Sequence, residues 1–186
     1  KPSWQVPIKA SYRDRVIYTI PGLSGGPSLL ETMKALALEE MPHASDARSA
    51  TYFANTIRAA YETRLQTMGH ASAGQDCTSH ISAMDRDGNM VALTNTLLSR
   101  FGSKTVAPSL GLTLNNGMMW FDPRLGKPNS IAPGASPLAN MSPAITTLDG
   151  KPDIAIGAAG GRQIFPAIAQ ILSKIIDRSA SPEQAL

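Results

Sequence analysis

The sequence predicts an α/β fold in which a sheet packs against helices. Three observations carry that prediction. Apolar residues recur at helical spacing in the first third, strand candidates broken by Asp-Gly turns fill the middle, and a strongly amphipathic helix closes the chain. With 186 residues and 42% hydrophobic content, the chain can bury one sizeable core.

Residues 1–27 read as loop-rich, with one short strand over Arg15–Ile20 that ends at the turn-forming run PGLSGGPS. From Ser28 to about Met41, the spacing of Leu29, Leu30, Met33, Leu36 and Ala37 predicts a helix stopped by Pro42. A second helix follows from about Asp46 to Thr67, with Tyr52, Ile57, Ala60, Tyr61 and Leu65 toward one side. The stretch MGHASAGQDC has no period and many small residues, so it reads as an exposed loop.

Two strands, Ser79–Met84 and Met90–Thr96, flank DRDGN and form a predicted hairpin, because Asp-Gly and Gly-Asn tolerate positive φ. Further strands are expected at Leu110–Asn115, Ala144–Leu148 and Ile154–Ala158, the last two around a DGK turn. The closing helix opens at GGRQ and carries Ile164, Phe165, Ile168, Ile171, Leu172, Ile175 and Ile176 as a stripe.

Composition narrows the function classes. The excess of 17 basic over 14 acidic residues gives +3, and the basic residues are scattered rather than grouped with aromatics, which argues against nucleic acid. No run approaches a membrane span, and the N-terminus KPSWQVPIKA lacks the regions of a secretory signal. The single cysteine, Cys77, excludes an internal disulfide or a multi-cysteine metal site, and His43, His70 and His80 show no ligand spacing.

Thr78 sits where the loop meets the hairpin's first strand. Alone, a threonine there is an ordinary β-former. A cut before it would free its α-amine, a built-in base with an ordinary pKa of about 8. The glycines of GAAGG, residues 157–161, open a helix whose unpaired N–H groups can hold an oxyanion. Nucleophile, base and anion hole would then coexist.

The segments CTSHISAMDRDGNMVALTNTLLSRFGS, LTLNNGMMWFDP, APGASPLANMSPAI and IGAAGGRQI resemble, in order and spacing, the successive signatures of the γ-glutamyltranspeptidases, N-terminal-nucleophile hydrolases that cut themselves before a threonine. Upstream, YTIPGLSGGPSLLETMKAL resembles the end of that family's large subunit. The resemblance implies an N-terminal-nucleophile sandwich of α/β/β/α layers, incomplete here. Residues 1–77 would be large-subunit-like and 78–186 small-subunit-like, together one joint domain. It implies cleavage between Cys77 and Thr78, Thr78 as nucleophile, Thr96 as its hydrogen-bond partner, and Gly160 and Gly161 as the oxyanion pair. It matches His80 to a family histidine, read as structural, and Asn115 and Asn116 to a pair that shapes the turn below the site.

The departures bear on substrate. Where the family holds the γ-glutamyl group with polar or acidic residues, this chain has Leu98, Gly117 and Trp120, and a Ser-Ser pair is replaced by Ala139 and Asn140. The acyl group is therefore expected to be γ-glutamyl or a related, less charged one, passed to water or an amine. The implied partners are a small amide substrate and the remainder of the large subunit, without which the stretch is expected to stay uncleaved and inactive. No metal or organic cofactor is implied. The resemblance points to a periplasmic or secreted protein, while the residues themselves leave the compartment open. The rival reading is a non-catalytic binding or assembly module.

Overall fold

A computed structural model describes residues 3–39, 47–69 and 77–186. Two short strands come first, β1 (Ile8–Tyr12) and β2 (Arg15–Thr19), joined by a tight turn with Arg13 at φ 55°. The sequence reading missed β1. Its residues Ile8, Ala10 and Tyr12 alternate with Lys9 and Ser11, and this period of two turns one side to the core. Helix α1 (Gly26–Ala37) starts two residues before the predicted Ser28, since Pro27 fits the first turn, and ends four residues short of the predicted Met41, where Arg13 takes up the Leu36 and Ala37 carbonyls; Pro42 lies outside the described residues. Helix α2 (Ala47–Thr67) has the predicted end, and its expected start at Asp46 also falls outside them.

The predicted hairpin is present as β3 (Thr78–Met84) and β4 (Met90–Thr96), with the strand beginning at Thr78 itself. The strand expected at Leu110–Asn115 is instead a minimal pair, β5 (Val106–Ala107) with β6 (Leu112–Thr113), followed by a 3-10 turn at Gly117–Trp120. Positive φ at Lys104 and Gly111 bends the chain and stops a longer ladder. Then come β7 (Ala144–Leu148), β8 (Lys151–Ile156), helix α3 (Ile164–Arg178) and the single capped turn α4 (Pro182–Ala185). Strand β8 begins three residues earlier than the predicted Ile154, because pairing with β7 runs right up to the Asp149-Gly150 turn. The GGRQ opening is a 3-10 turn over Gly161–Gln163 before α3 proper.

These elements form three layers. An antiparallel sheet in the order β1-β2-β7-β8 lies in the middle. On one side, α1 and α3 press Leu29, Met33, Leu36, Ile164, Ile168 and Leu172 onto Tyr12, Ile17 and Ala144. Each such large side chain stabilises the fold by roughly 1.5–3 kcal/mol on burial. On the other side sits the β3-β4 ribbon, in contact with β7 and β8. Pairing of β2 with β7, Thr19 opposite Ala144, places residues from before and after Thr78 in one sheet.

Arg64 on α2 is 4% exposed and reaches across to the loops beside the ribbon. It donates to the carbonyls of Ser24 (2.5 Å) and Ala139 (2.8 Å) and to Asn140 Oδ1 (3.0 Å). Burial pulls its pKa below the usual arginine value, and no carboxylate among the described residues pairs with it. Arg64→Ala strands two carbonyls, each at a cost of about 1–3 kcal/mol. The expected loss of at least about 2 kcal/mol is read from the urea midpoint of the full-length protein.

Candidate active site

In a strand, every second side chain shares a face. Thr78, His80 and Ser82 therefore lie together on β3, opposite Thr96, Thr94 and Ala92 on β4, and this is the ribbon's inner face, against the sheet. Thr78 Oγ1 donates to Thr96 Oγ1 at 3.0 Å. Thr96 is buried, accepts a second hydrogen bond from the Leu98 amide at 2.9 Å, and so turns its own hydrogen to the Cys77 carbonyl at 3.3 Å.

That carbonyl belongs to the peptide that joins Cys77 to Thr78. It also accepts from the Leu97 amide at 3.1 Å, while the Cys77 amide donates to the Leu98 carbonyl at 3.2 Å. The peptide is thus clamped by the continuation of β4, with two donors on its oxygen and a hydroxyl next door. Cys77 itself is exposed. The Leu97 contribution escaped the sequence reading because a backbone amide leaves no residue-type signal.

Beside Thr96 opens a cleft of about 400 Å³. Gly117, Trp120 and Ala139 line it, joined by Met118, Pro137 and Met141 and, on the polar side, by Thr94, Asn95 and Asn115. No described lining residue is charged. Trp120 shows only 7% of its surface, because it packs with Leu98 and Leu138. Leu98, expected at the substrate, is 2% exposed and supports the cleft from behind, its φ of 68° turning it inward. Asn140 is likewise not in the cleft; its side chain is held by Arg64 at a separate cavity with Tyr61 and Gln163. Asn115 and Asn116 brace the turn: Asn115 Oδ1 accepts from the Gly117 amide (2.9 Å) and the Asn116 amide donates to the Leu97 carbonyl (3.0 Å).

Gly160 and Gly161 follow β8 with φ of 124° and 55°, a path that suits glycine. Among the described residues neither amide meets a backbone carbonyl. Their segment approaches β3 in step, since Ser82 bonds to Ala155 and His80 lies on Gly157. Beyond Gly157 the chain leaves the β8 register, turning at Gly160 and Gly161 into the 3-10 turn whose Arg162 carbonyl accepts from Tyr61 on α2. Among the described residues no group of His, Cys, Asp or Glu could hold a metal ion, and no helix is long and apolar enough to cross a membrane.

A family model described as gamma-glutamyltranspeptidase matches residues 71–186, more than half of the chain. The chain belongs to the γ-glutamyltranspeptidase family. Within it, the chain is 37% identical over 119 residues to a glutathione hydrolase proenzyme of Pseudomonas sp. (strain A14), a stretch that covers 59% of this chain. It is 27% identical over 179 residues, 96% of its length, to an acylase ACY 1 proenzyme of Pseudomonas sp. (strain V22). These matches span 21% and 30% of the two relatives' own lengths. A crystal structure of cephalosporin acylase from Bacillus halodurans superimposes on all of this γ-glutamyltranspeptidase-family chain and on 40% of its own, with a TM-score of 0.83 at 21% identity, which establishes the shared N-terminal-nucleophile fold.

Proposed function

We propose that the protein carrying this chain cuts itself between Cys77 and Thr78 and then uses Thr78 as the nucleophile of an amide-directed acyl transfer. The hydroxyl relay from Thr78 through Thr96 to the Cys77 carbonyl is the observation that carries this reading. In the first step, Thr78 Oγ1 adds to the Cys77 carbonyl carbon, and the negative charge that develops on its oxygen meets the Leu97 amide and the Thr96 hydroxyl. The proton given up by Thr78 Oγ1 passes to the departing nitrogen, and the intermediate collapses with loss of the C–N bond to an ester. Water then splits the ester, leaving Cys77 with a carboxylate and Thr78 with a free α-amine.

In the second stage, that amine takes the Thr78 hydroxyl proton as Oγ1 attacks a substrate amide. The amides of Gly160 and Gly161 hold the oxyanion, the leaving amine departs with the proton, and water or another amine resolves the acyl-enzyme. The two relatives named as glutathione hydrolase and acylase proenzymes favour such chemistry. The uncharged cleft favours an acyl group less charged than γ-glutamyl. Residues 1–77 and 78–186 then stand as large- and small-subunit-like parts, and β2-β7 pairing would hold them together after the cut.

Intact mass and N-terminal sequencing of the full-length protein test the reading. Two polypeptides are expected, one beginning at Thr78. A single uncut chain without amidase activity would leave the binding-module alternative standing.

A further inference from the structure

Both ring nitrogens of His80 are engaged, and the pattern fixes its tautomer. Ser82 Oγ donates to the Ala155 carbonyl on β8 at 2.9 Å, so its single hydrogen is committed. It must then accept from His80 Nε2, 3.0 Å away, which makes Nε2 the protonated nitrogen. Nδ1, left as an acceptor, takes the Thr94 hydroxyl at 2.8 Å. Burial favours the same neutral form by pulling the imidazole pKa below its ordinary value. With both nitrogens spent, His80 has no site from which to take a proton from Thr78.

The ring also rests directly on β8's continuation. A Cβ at Gly157 would fall 2.2 Å from Nδ1 and 2.3 Å from Cε1, a distance that atoms do not tolerate. Gly157 has no positive φ, so close approach rather than backbone freedom accounts for glycine there. The imidazole thus joins three chain segments: β4 through Thr94, β3 through Ser82, and the stretch that runs on to Gly160 and Gly161.

We propose that His80 is a positioning residue that sets the spacing between Thr78 and the Gly160-Gly161 amides by locking β3 to the end of β8. The inference rests on the reading of Thr78 as nucleophile and of the two glycines as oxyanion donors. Its mechanical basis is the lever. Gly157 is three residues from Gly160, and His80 two from Thr78, so slack at the ring is delivered to both partners of the reaction. A misplacement of about 1 Å between reacting groups can cost about 100-fold in rate. His80 does not itself line the cleft beside Thr96, though it holds Thr94, which does, so the larger loss should fall on turnover and a smaller one on substrate binding.

The test uses the full-length protein, followed by intact mass for self-cleavage and by steady-state kinetics on an acyl anilide. His80→Ala should lower kcat by about 10- to 100-fold with KM changed less than about threefold. His80→Gln, whose amide can still donate to Ser82 and accept from Thr94, should recover most of the loss. Ser82→Ala, at an exposed position where folding is not at stake, should lower kcat in the same direction by a smaller factor, and Gly157→Ala by a larger one. Wild-type kcat in both His80→Ala and Ser82→Ala overturns the proposal, as does an equal loss in His80→Gln and His80→Ala, or a change confined to KM. A wild-type protein with neither cleavage nor amidase activity would instead overturn the nucleophile reading on which it stands.

Discussion

Thr78→Ala in the full-length protein should leave one intact polypeptide and no measurable amidase activity. Alanine removes the hydroxyl of the residue that follows the Cys77 carbonyl, while the strand pairing that clamps the peptide is untouched. The variant should therefore fold, keep its Cys77-Thr78 bond and fail at the first step. Thr78→Ser keeps the oxygen without the β-branch and should cut slowly, and Thr96→Val should slow cleavage by about 100-fold or more. Valine matches threonine in shape but takes away both the acceptor for Thr78 and one of the two donors to the Cys77 oxygen, and one lost donor of this kind typically costs about 10²–10³ in rate. A new N-terminus at residue 78 in Thr78→Ala would mean that another protease makes the cut.

The processed full-length protein should prefer an apolar acyl anilide over γ-glutamyl-p-nitroanilide by at least about 30-fold in kcat/KM, or about 2 kcal/mol. A γ-glutamyl group brings an ammonium and a carboxylate to a cleft whose described walls are Met118, Trp120, Pro137, Ala139 and Met141, with only neutral polar groups at its edge. Desolvating either charge without a partner costs several kcal/mol. Met118 is exposed, and its unbranched side chain is suited to close over an acyl chain, while Trp120, packed with Leu98 and Leu138, offers the cleft only a small part of its surface. The opposite preference would show that residues beyond this chain bring compensating charges to the cleft.

Much of this was legible in the sequence, for reasons that differ from element to element. The β3-β4 hairpin and α3 were readable because a turn with Asp-Gly and a long apolar stripe are local signals. Thr78 and Thr96 were identified by family resemblance, and the structure adds why they meet: they are directly paired residues of one ladder. What the sequence hid was tertiary. Leu98 looked like a substrate contact, yet it lies in a small second core with Trp120 and with Leu138, forty residues further along the sequence, and Trp120 divides itself between that core and the cleft. Asn140 looked the same and is claimed by Arg64, a residue with no motif around it. Strand β1 was missed although its alternation was present, since five residues after Pro7 gave too short a run to stand out.

The β3-β4 ribbon carries its side chains in an unusual arrangement. Its inner face is largely hydroxyl and imidazole, while Ile81, Val91 and Leu93 point outward and are 60%, 57% and 54% exposed. A slip of β4 by one residue would exchange its faces, and the gain from burying Val91 and Leu93 would favour the slipped pairing. What resists it is hydrogen bonding at the two ends: the Cys77 clamp at the base and, at the tip, the Asp85 carboxylate, which accepts from the amides of Asp87 and Asn89 and from Asn89 Nδ2 at 2.7–2.9 Å. Seven residues of strand, roughly 23 Å at about 3.3 Å each, separate that tip from Thr78. The alignment of a nucleophile with its partner is in this way anchored in part by a surface turn that never approaches the reaction, as the far peg of a taut string fixes the note played at the near end.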